Sequence, residues 1–428
     1  MLNIMPPPAD RQRGDPGVPD FGLIGTILDE LHHDELIAKL NDYRWTGRPG
    51  YAPEVMWRAT LVRYLLKLRY TRDLIAQLKA SRLLRRVCGL RDTVPHEGTF
   101  SRFYARLADH KDLVDAAIMD VAQRVGAEIE RLQDEGVVPE SAPAPGRMVA
   151  IDSSDVEAWG NGKREPAKRI DREAEWGHRT AKLAHEGDEL FYGYKLHAIC
   201  DAYYGTPLSW AVLPANMNDS PTLPPMMDQL KRNHPKLPVR YAMADRGYDA
   251  LSNFQDLHQH RIFAVIQVRD TDKNGLYTPK GEPKCIGGQP MEYVRTDKGK
   301  GHLFRCPADG CELKGSKPWL GERCGSEHYE GWDGELLRRV GLLPRASKRW
   351  KRLYKQRTSV ERLFGSLKRS RLLDQHCYLG IKKVRLHVGL SLLTYTGTML
   401  GRLLDGDYAG MREMKVEMPV ANWTARAA

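Results

Sequence analysis

A proline-rich segment, Ser141–Gly146, divides the chain into two parts whose apolar residues follow different spacings. From Phe21 to about Leu132, apolar residues recur every three or four positions, which predicts amphipathic helices. After the segment the apolar runs are short, as at Met148–Ile151, which is typical of strands. This change of period predicts an α+β fold with a domain boundary at the proline-rich segment.

The apolar runs after the boundary follow the order strand, hairpin, helix, strand, helix, strand, which predicts a mixed sheet. The chain then turns polar, glycine-rich and cysteine-containing, and helices resume near Lys351, so the polar stretch is expected to be an insertion. The first residues are rich in Pro, Gly and Asp, which is typical of disorder. The predicted parts are a disordered tail (1–20), a helical domain (21–140), a mixed-sheet core (147–268 and 351–404), an insertion (269–350) and a C-terminal tail (405–428).

Basic residues are concentrated in two blocks of the sequence. The 428-residue chain carries a formal net charge of +11 at pH 7. Residues 58–91 contain ten Lys or Arg against one acid, and residues 336–373 contain thirteen against one. Two separate basic blocks indicate an extended polyanionic partner such as a DNA duplex, and a pair of solvated helix faces is the alternative.

Neither a secretion signal nor a membrane span is visible in the sequence. No positively charged start is followed by an apolar core. The most apolar stretch, Val388–Leu404, is interrupted by Arg402 and is short for a membrane span, so we expect a core helix there. We therefore expect a cytoplasmic protein with reduced thiols and no membrane partner.

Two of the predicted strands run into a carboxylate. Asp152 follows the apolar run Val149–Ile151, and Asp245 follows Ala242–Ala244. Two carboxylates on neighbouring strands repel each other, and Mg²⁺, which prefers carboxylate and water oxygens, resolves that conflict. The alternative is that each Asp caps a turn or a following helix.

A third acid stands in a cationic stripe near the end of the chain. Tyr354, Arg357, Glu361 and Lys368 are separated by three, four and seven residues, which places them on one face of a single continuous helix. In the alternative, Thr358 and Glu361 form a capping box at a helix start. That arrangement would leave Tyr354 and Arg357 outside the helix.

Two weaker signals lie outside these runs. The segment Pro95–Tyr104 predicts a turn and a short polar helix that could enter a DNA groove through Thr99, Ser101 and Arg102, or could simply pack. The insertion carries residue types and spacings of a structural zinc site, with a loop of reduced thiols as the alternative. The candidate zinc ligands are Cys306, Cys311, Cys324 and His328.

The spacing Tyr-x2-Arg-x3-Glu-x6-Lys from Tyr354 to Lys368 resembles the signature of bacterial insertion-sequence transposases with a ribonuclease-H-like DDE core. Other segments resemble the strands, hairpin and amino-terminal region of that family. These segments are Ile151–Ser154, Tyr194–His197 with Pro214–Asn216, Ala244–Tyr248 and Gly50–Arg106. The resemblance implies a helical DNA-binding domain followed by a ribonuclease-H-like mixed-sheet catalytic core with an insertion.

The resemblance also implies roles for individual residues. Asp152, Asp245 and Glu361 would hold two Mg²⁺ ions, or Mn²⁺ in their place, for two-metal phosphoryl transfer. Arg357 and Lys368 would hold DNA phosphates, and Tyr354 would contact the backbone or an unstacked base. Four further acids are expected near the triad without belonging to it: Asp155, Glu157, Asp219 and Asp249.

The function implied by the resemblance is DNA transposition. Such an enzyme binds terminal inverted repeats in double-stranded DNA, cleaves at the element ends and joins the 3′ ends to target DNA. Synapsis of two ends implies a homodimer on DNA, in a bacterial and nucleoid-associated setting. The alternatives are a nuclease on the same core and a catalytically silent, sequence-specific DNA-binding protein.

Overall fold

The structure is a computed structural model of the whole chain. It describes residues 21–42, 50–160, 162–163, 165–179, 189–269, 275–278, 281–285, 287–307, 327–332 and 334–419. The tail predicted at 1–20 lies outside these residues.

In the described part of the amino-terminal region the chain forms seven helices, where the three-and-four spacing of apolar residues predicted them. Pro53 stands at the first position of α3, where its missing N–H costs no helical hydrogen bond. Ser81 caps α5 by accepting from the amide of Leu84, and His96 caps α6 by accepting from the amide of Gly98. The helices are α1 (Gly22–Glu30), α2 (Asp34–Asp42), α3 (Pro53–Leu65), α4 (Thr71–Ala80), α5 (Arg82–Val87), α6 (Glu97–Asp109) and α7 (Lys111–Asp134).

A six-stranded mixed sheet follows the proline-rich segment. Its strands are β1 (Met148–Glu157), β2 (Glu175–Arg179), β3 (Glu189–Asp201), β4 (Pro207–Pro214), β5 (Tyr241–Ala244) and β6 (Phe263–Ile266). β1 pairs antiparallel with β3 and parallel with β5, and β5 pairs parallel with β6. The other side of β3 pairs antiparallel with β2 and β4.

Helices cover both faces of this sheet. Between the strands run α8 (Leu223–Asn233), which precedes β5, and α9 (Leu251–Gln259), which precedes β6. Side chains alternate along β1, so that Val149 and Ile151 pack in the core with α8 and α9. Ala150 and Val156 pack in the larger core on the opposite face.

The insertion contains strands that the sequence did not predict. They are β7 (Glu292–Asp297), β8 (Gly301–Arg305) and β9 (Glu327–Glu330), which form a separate antiparallel sheet, and α10 (Glu335–Arg339) follows. This sheet has its own small core, which includes Tyr277, Met291 and Phe304.

Three helices complete the larger core: α11 (Lys348–Tyr354), α12 (Thr358–Ser370) and α13 (Ile381–Leu404). α12 packs on β1 and β3, and α13 packs on β4 and along α7 and α1. The amino-terminal helices and the sheet therefore share one continuous hydrophobic core. In the part of the chain that the structure describes, no helix is long and apolar enough to cross a membrane.

Candidate active site

Asp152 and Asp245 lie side by side at the carboxyl end of β5. Ile151 is paired with Ala244 in the parallel register, so the next residue on each strand is an aspartate. β5 ends at Ala244, but β1 continues to Glu157 with only β3 beside it. Asp152 is therefore in the middle of its strand, whereas the sequence predicted a strand end there. Its carboxylate becomes accessible because the neighbouring strand stops.

Each aspartate is fixed by a nearby backbone amide. Asp152 Oδ1 accepts from the N–H of Ser153 at 2.8 Å, and Asp245 Oδ1 accepts from the N–H of Gly247 at 2.7 Å. Asp245 thereby caps a 3₁₀ turn over Arg246–Tyr248. The turn-capping alternative is correct for Asp245, but it does not explain why the two carboxylates are adjacent.

The local electrostatics disfavour the ionised form of Asp152. Burial, and then the negative charges of Asp245 and Asp219, raise its pKa, while the Ser153 amide and the Arg357 guanidinium oppose this. The net effect raises the pKa of Asp152 to about 7. A cation bound beside the two carboxylates would favour the ionised form of Asp152.

Arg357 connects Asp152 to Glu361. Its guanidinium donates to Asp152 Oδ2 at 3.3 Å and to Glu361 Oε1 at 2.7 Å. Glu361 is thus held on the side of β1 that carries Asp152, although 209 positions of the numbering separate the two residues. The structure brings all three predicted acids to one end of the sheet, with the arginine between two of them.

The helix that carries this stripe is interrupted, contrary to the expectation of one continuous helix. α11 ends at Tyr354, a 3₁₀ turn covers Lys355–Arg357, and α12 begins at Thr358. The helix start therefore falls where the capping-box alternative placed it. However, Glu361 accepts from the Arg357 side chain, and no side-chain cap is formed at the start of α12.

Tyr354 lies beside the arginine and is fixed by its neighbours. Its ring stacks on Trp350 at a centroid distance of 4.8 Å, and the Arg357 guanidinium lies 5.7 Å from its centroid. Its hydroxyl donates to Gln267 just after β6. Burial raises the pKa of Tyr354, so the hydroxyl is protonated at neutral pH.

Lys368 binds two acids at the far end of α12. Its ammonium lies 3.1 Å from Asp155 and 3.5 Å from Asp374. Asp155 is three residues beyond Asp152 on β1, so Lys368 contacts β1 further along the strand than Arg357 does.

A second cluster of polar side chains lies next to Asp152, and the sequence did not predict that its members interact. Asp219 accepts from the Ser153 hydroxyl at 3.0 Å and from Lys195 at 3.2 Å. His197 is fully buried beside them, and burial lowers its pKa to about 4. A signal was present, since Lys195 and His197 interrupt an otherwise apolar strand, but the sequence did not indicate which acid pairs with them.

Comparison with known proteins identifies the family. Residues 143–396 match the family described as Transposase DDE domain, and residues 21–106 match Transposase domain (DUF772). The chain belongs to the DDE transposase family. The first match covers the sheet, the insertion and most of α13, and it implies the ribonuclease-H-like core predicted from the sequence.

Two individual proteins resemble this transposase family member over different lengths. A protein of Burkholderia cepacia named as a transposase for insertion sequence element IS402 is 38% identical over 102 residues. The match covers 23% of this chain and 47% of that protein, so the chain spans about half of the relative's length. The cryo-EM structure of a piggyBac transposase synaptic complex with hairpin DNA aligns with a TM-score of 0.42 and 12% identity, over 94% of this chain and 80% of that one.

Membership of the DDE transposase family implies the use of a divalent metal, and the residues present fit one. Asp152, Asp245 and Glu361 offer only carboxylate oxygens, the ligands that hard divalent cations prefer. The mutual repulsion of Asp152 and Asp245 is also what a bound cation would relieve. Within the described ranges no three His, Cys, Asp or Glu side chains are already grouped as a metal site. Arg357 instead lies between Asp152 and Glu361.

The predicted DNA-contacting residues of the amino-terminal region lie on α6. Ser101 and Arg102 are exposed, and Thr99 is half-buried. The buried face of the same helix includes Tyr104, whose ring stacks at 4.2 Å on Tyr378 from the segment after α12. The exposed face of α6 is therefore held at a fixed position relative to the catalytic sheet.

The predicted zinc site lies largely outside the described residues. Cys311 and Cys324 are not among them, while Cys306 follows β8 and His328 is in β9. The His328 ring lies 3.2 Å from the Glu330 carboxylate. The four-residue zinc site remains a prediction.

Proposed function

We propose that this protein is a Mg²⁺-dependent DNA transposase that binds terminal inverted repeats, cleaves at element ends and joins 3′ ends to target DNA. The observation that carries the proposal is the position of Asp245 beside Asp152, with Arg357 joining Asp152 to Glu361, inside a segment that matches the DDE transposase domain. Adjacent carboxylates with a nearby cation are suited to phosphodiester chemistry, and the capping role of Asp245 does not account for their adjacency.

The three acids are proposed to bind two Mg²⁺ ions per site, with Mn²⁺ able to substitute. When bound, such ions activate the attacking oxygen and stabilise the leaving oxygen of an in-line displacement. Asp245 is already oriented by the Gly247 amide and Asp152 by the Ser153 amide, so both carboxylates are preorganised. This preorganisation reduces the reorganisation needed when substrate binds.

The cations of the stripe are proposed to hold DNA phosphates close to the carboxylates. In the DNA-free protein Arg357 and Lys368 are occupied by acids of β1 and α12. Once metal ions neutralise Asp152 and Glu361, Arg357 can turn to phosphate oxygens, for which its planar fork is well shaped. Lys368 would exchange its contacts with Asp155 and Asp374 for a phosphate. Tyr354 is proposed to contact the DNA backbone or an unstacked base.

The proposed partner is double-stranded DNA, bound as the repeat and later as the target. Two element ends must be held together for strand transfer, so we propose a two-fold symmetric homodimer in the synaptic complex. The net charge of +11 supports a polyanionic partner. Any affinity must be measured at a stated salt concentration, because counterion release dominates such binding.

The decisive experiment compares wild type with Glu361→Gln on a labelled duplex carrying the element's terminal repeat, in Mg²⁺. Glutamine has nearly the same shape but binds metal poorly, and Glu361 is half exposed, so the variant should fold. We expect cleavage to fall at least ~10³-fold, since loss of a metal ligand removes most transition-state stabilisation. DNA binding should be retained.

The matched control is Glu130→Gln, at an exposed position on α7 far from the sheet edge. It should cleave like wild type. Equal cleavage by wild type and Glu361→Gln would refute the assignment of the third acid. Binding without cleavage by wild type would favour the silent DNA-binding alternative, and cleavage without joining to a target plasmid would favour a nuclease.

A further inference from the structure

The connection between α3 and α4 carries a concentrated positive charge. We call residues 67–72 the basic turn. Its side chains include exposed Lys67, Arg69 and Arg72 around the half-buried Tyr70. Asp73 is the acid closest to them in sequence; it lies 3.9 Å from Arg72 and also accepts from the Tyr70 amide. The charge of the turn is therefore only weakly neutralised.

The two arginines of the basic turn share one aromatic ring. The Arg69 guanidinium lies 5.1 Å from the centroid of Tyr70, and that of Arg72 lies 4.5 Å from it. A guanidinium over an aromatic ring gains a cation–π attraction and keeps its N–H groups directed outward. Two like charges held by one ring still repel each other, and a phosphate between or beside them would relieve that repulsion.

The backbone of the basic turn is unusual at Lys67. This residue has φ +55°, in the left-handed region that glycine usually occupies at a helix end. The Leu68 amide bonds the Arg63 carbonyl at 2.9 Å, which closes the helix terminus around it. Lysine at this position adds a positive charge to the turn, although the left-handed backbone conformation is less favourable for lysine than for glycine.

A buried arginine anchors the turn from below. Arg63 is 5% exposed, and it donates to the carbonyls of Leu68 at 3.1 Å and Arg69 at 2.6 Å. Its remaining nitrogen donates to the Tyr378 hydroxyl at 2.6 Å. The backbone of the turn is therefore held in place by hydrogen bonds from a buried side chain.

These anchors tie the basic turn to the catalytic strand. Tyr378 stacks on Tyr104 of α6, and His376, two residues earlier, donates to the Glu157 carbonyl at 2.7 Å. Glu157 ends β1, the strand of Asp152, and five residues of strand span about 16 Å. The turn thus belongs to the same packed unit as α6 and the strand that carries the first carboxylate.

We infer that the basic turn is a docking site for the backbone phosphates of the DNA duplex. The inference rests on the proposed function and deepens it by assigning a positioning surface to residues outside the triad and its stripe. Lys67, Arg69 and Arg72 contact phosphate oxygens, and Tyr70 keeps the two guanidinium groups apart and aimed outward. The contacts carry no base specificity.

The test uses the full-length protein and a fluorescein-labelled 30-base-pair duplex of arbitrary sequence, without divalent metal. Binding is measured by anisotropy at several salt concentrations for wild type and Arg69→Ala/Arg72→Ala. Loss of two phosphate contacts lowers the magnitude of the slope of log K against log[salt] by roughly 1.8 and weakens binding several-fold at low salt. Both side chains are exposed, so the thermal unfolding temperature should be unchanged.

The matched control is Arg232→Ala/Lys236→Ala, which removes the same charge from exposed positions preceding β5. These residues lie at the opposite end of β5 from Asp245. The control should keep the wild-type slope if the basic turn is a specific contact. A slope change equal in the two double variants would overturn the inference, because general charge would then explain the binding.

Two further outcomes separate this inference from the proposed function. If wild type binds DNA and Arg69→Ala/Arg72→Ala binds with the same slope, the docking site is wrong while the transposase proposal stands. If wild type binds no DNA but the double variant changes the oligomeric state in sedimentation, the turn contacts a second copy of the chain. The docking site would then be refuted, and cleavage of the terminal repeat would still decide the proposed function.

Discussion

Gly247 occupies a position where any side chain would collide with the Asp245 carboxylate. Its amide donates to Asp245 Oδ1 at 2.7 Å, and a methyl group at the same residue would lie 2.8 Å from that oxygen. Any larger residue at this position therefore has to displace the carboxylate or the turn. If Asp245 holds a metal ion as proposed, it must be placed within a fraction of an ångström, so a small displacement would be costly for catalysis.

We predict that Gly247→Ala lowers the DNA cleavage rate about 10²-fold, since misplacement of a reacting group by about 1 Å has an effect of that order. Stability should change little, because the turn is at the surface of the sheet edge. The measurement is single-turnover cleavage together with thermal unfolding. Gly50→Ala serves as the control because nothing lies within 4 Å of the added methyl. Identical cleavage rates for the two variants would contradict the prediction.

At the level of residues, the sequence could identify the acids but could not predict their partners. Asp152, Asp245 and Glu361 follow from strand and helix patterns that are local in the chain. The pairing of Arg357 with Asp152, and of Asp219 with Lys195, depends on how distant segments pack. Side-chain pairs of this kind have no periodicity in the sequence, so only the folded arrangement reveals them.

At the level of elements, the sequence predicted which strands and helices form better than it predicted where they begin and end. The hairpin of β3 and β4 and the short strand β5 were expected from their apolar runs. The continuation of β1 to Glu157 was not, because Ser153, Ser154 and Asp155 are polar. β3 provides main-chain partners along this stretch, so pairing overrides the low strand propensity of these residues.

The sequence predicted an insertion without assigning strands to it, yet it contains β7, β8 and β9. Its strands carry few strictly alternating apolar residues, since most of β7 is at least partly exposed. Such strands depend on mutual hydrogen bonds and a small core, and these give little signal in a sequence pattern. The same reasoning explains why β2, which adds only five residues at the sheet edge, was also missed.

A buried ion pair fastens the end of the insertion to the loop that follows β5. Arg338 on α10 donates two hydrogen bonds to Asp249, at 2.8 Å and 2.7 Å, and the Asp249 side chain is fully buried. Asp249 also accepts from the Arg269 amide. The pair therefore connects α10 with the turn that carries Asp245.

We predict that Arg338→Ala lowers the free energy of unfolding by about 3 kcal/mol, because a buried carboxylate is left without its partner. Urea denaturation measures the loss, and amide exchange should show opening of α10 and of the turn after β5. Arg305→Ala is the control, since its pair with Glu327 is about half exposed and should be worth under ~1 kcal/mol. Comparable losses in the two variants would show that burial of the pair does not matter.

At the scale of the whole molecule, the helical amino-terminal region and the catalytic sheet are joined through α13. This helix was predicted to be a core helix and is buried along most of its length. His387 on α13 connects the two regions, because its ring bonds the Tyr64 hydroxyl of α3 at 2.8 Å and the Leu372 carbonyl at 3.0 Å. The helical region and the sheet are therefore connected by packed and hydrogen-bonded side chains.

The buried histidines predict how stability depends on pH. Burial, and then the nearby His376 and Arg63, lower the pKa of His387, and burial also lowers the pKa of His376. Both rings are neutral in the folded chain but take up protons near pH 6.5 when unfolded. Their contribution is thus fully present above about pH 6.5 and is lost as the pH falls below it. The slope approaches at most about 1.4 kcal/mol per pH unit for each group.

We expect urea denaturation between pH 7.5 and 5.0 to show a steep loss of stability in wild type and a shallower loss in His387→Gln. Glutamine cannot be protonated, yet it can accept from Tyr64 and donate to Leu372, so the variant should remain folded. His258→Gln, at an exposed position on α9, should keep the wild-type pH profile. Parallel profiles for wild type and His387→Gln would mean that acid unfolding begins elsewhere, with the junction between helices and sheet left intact.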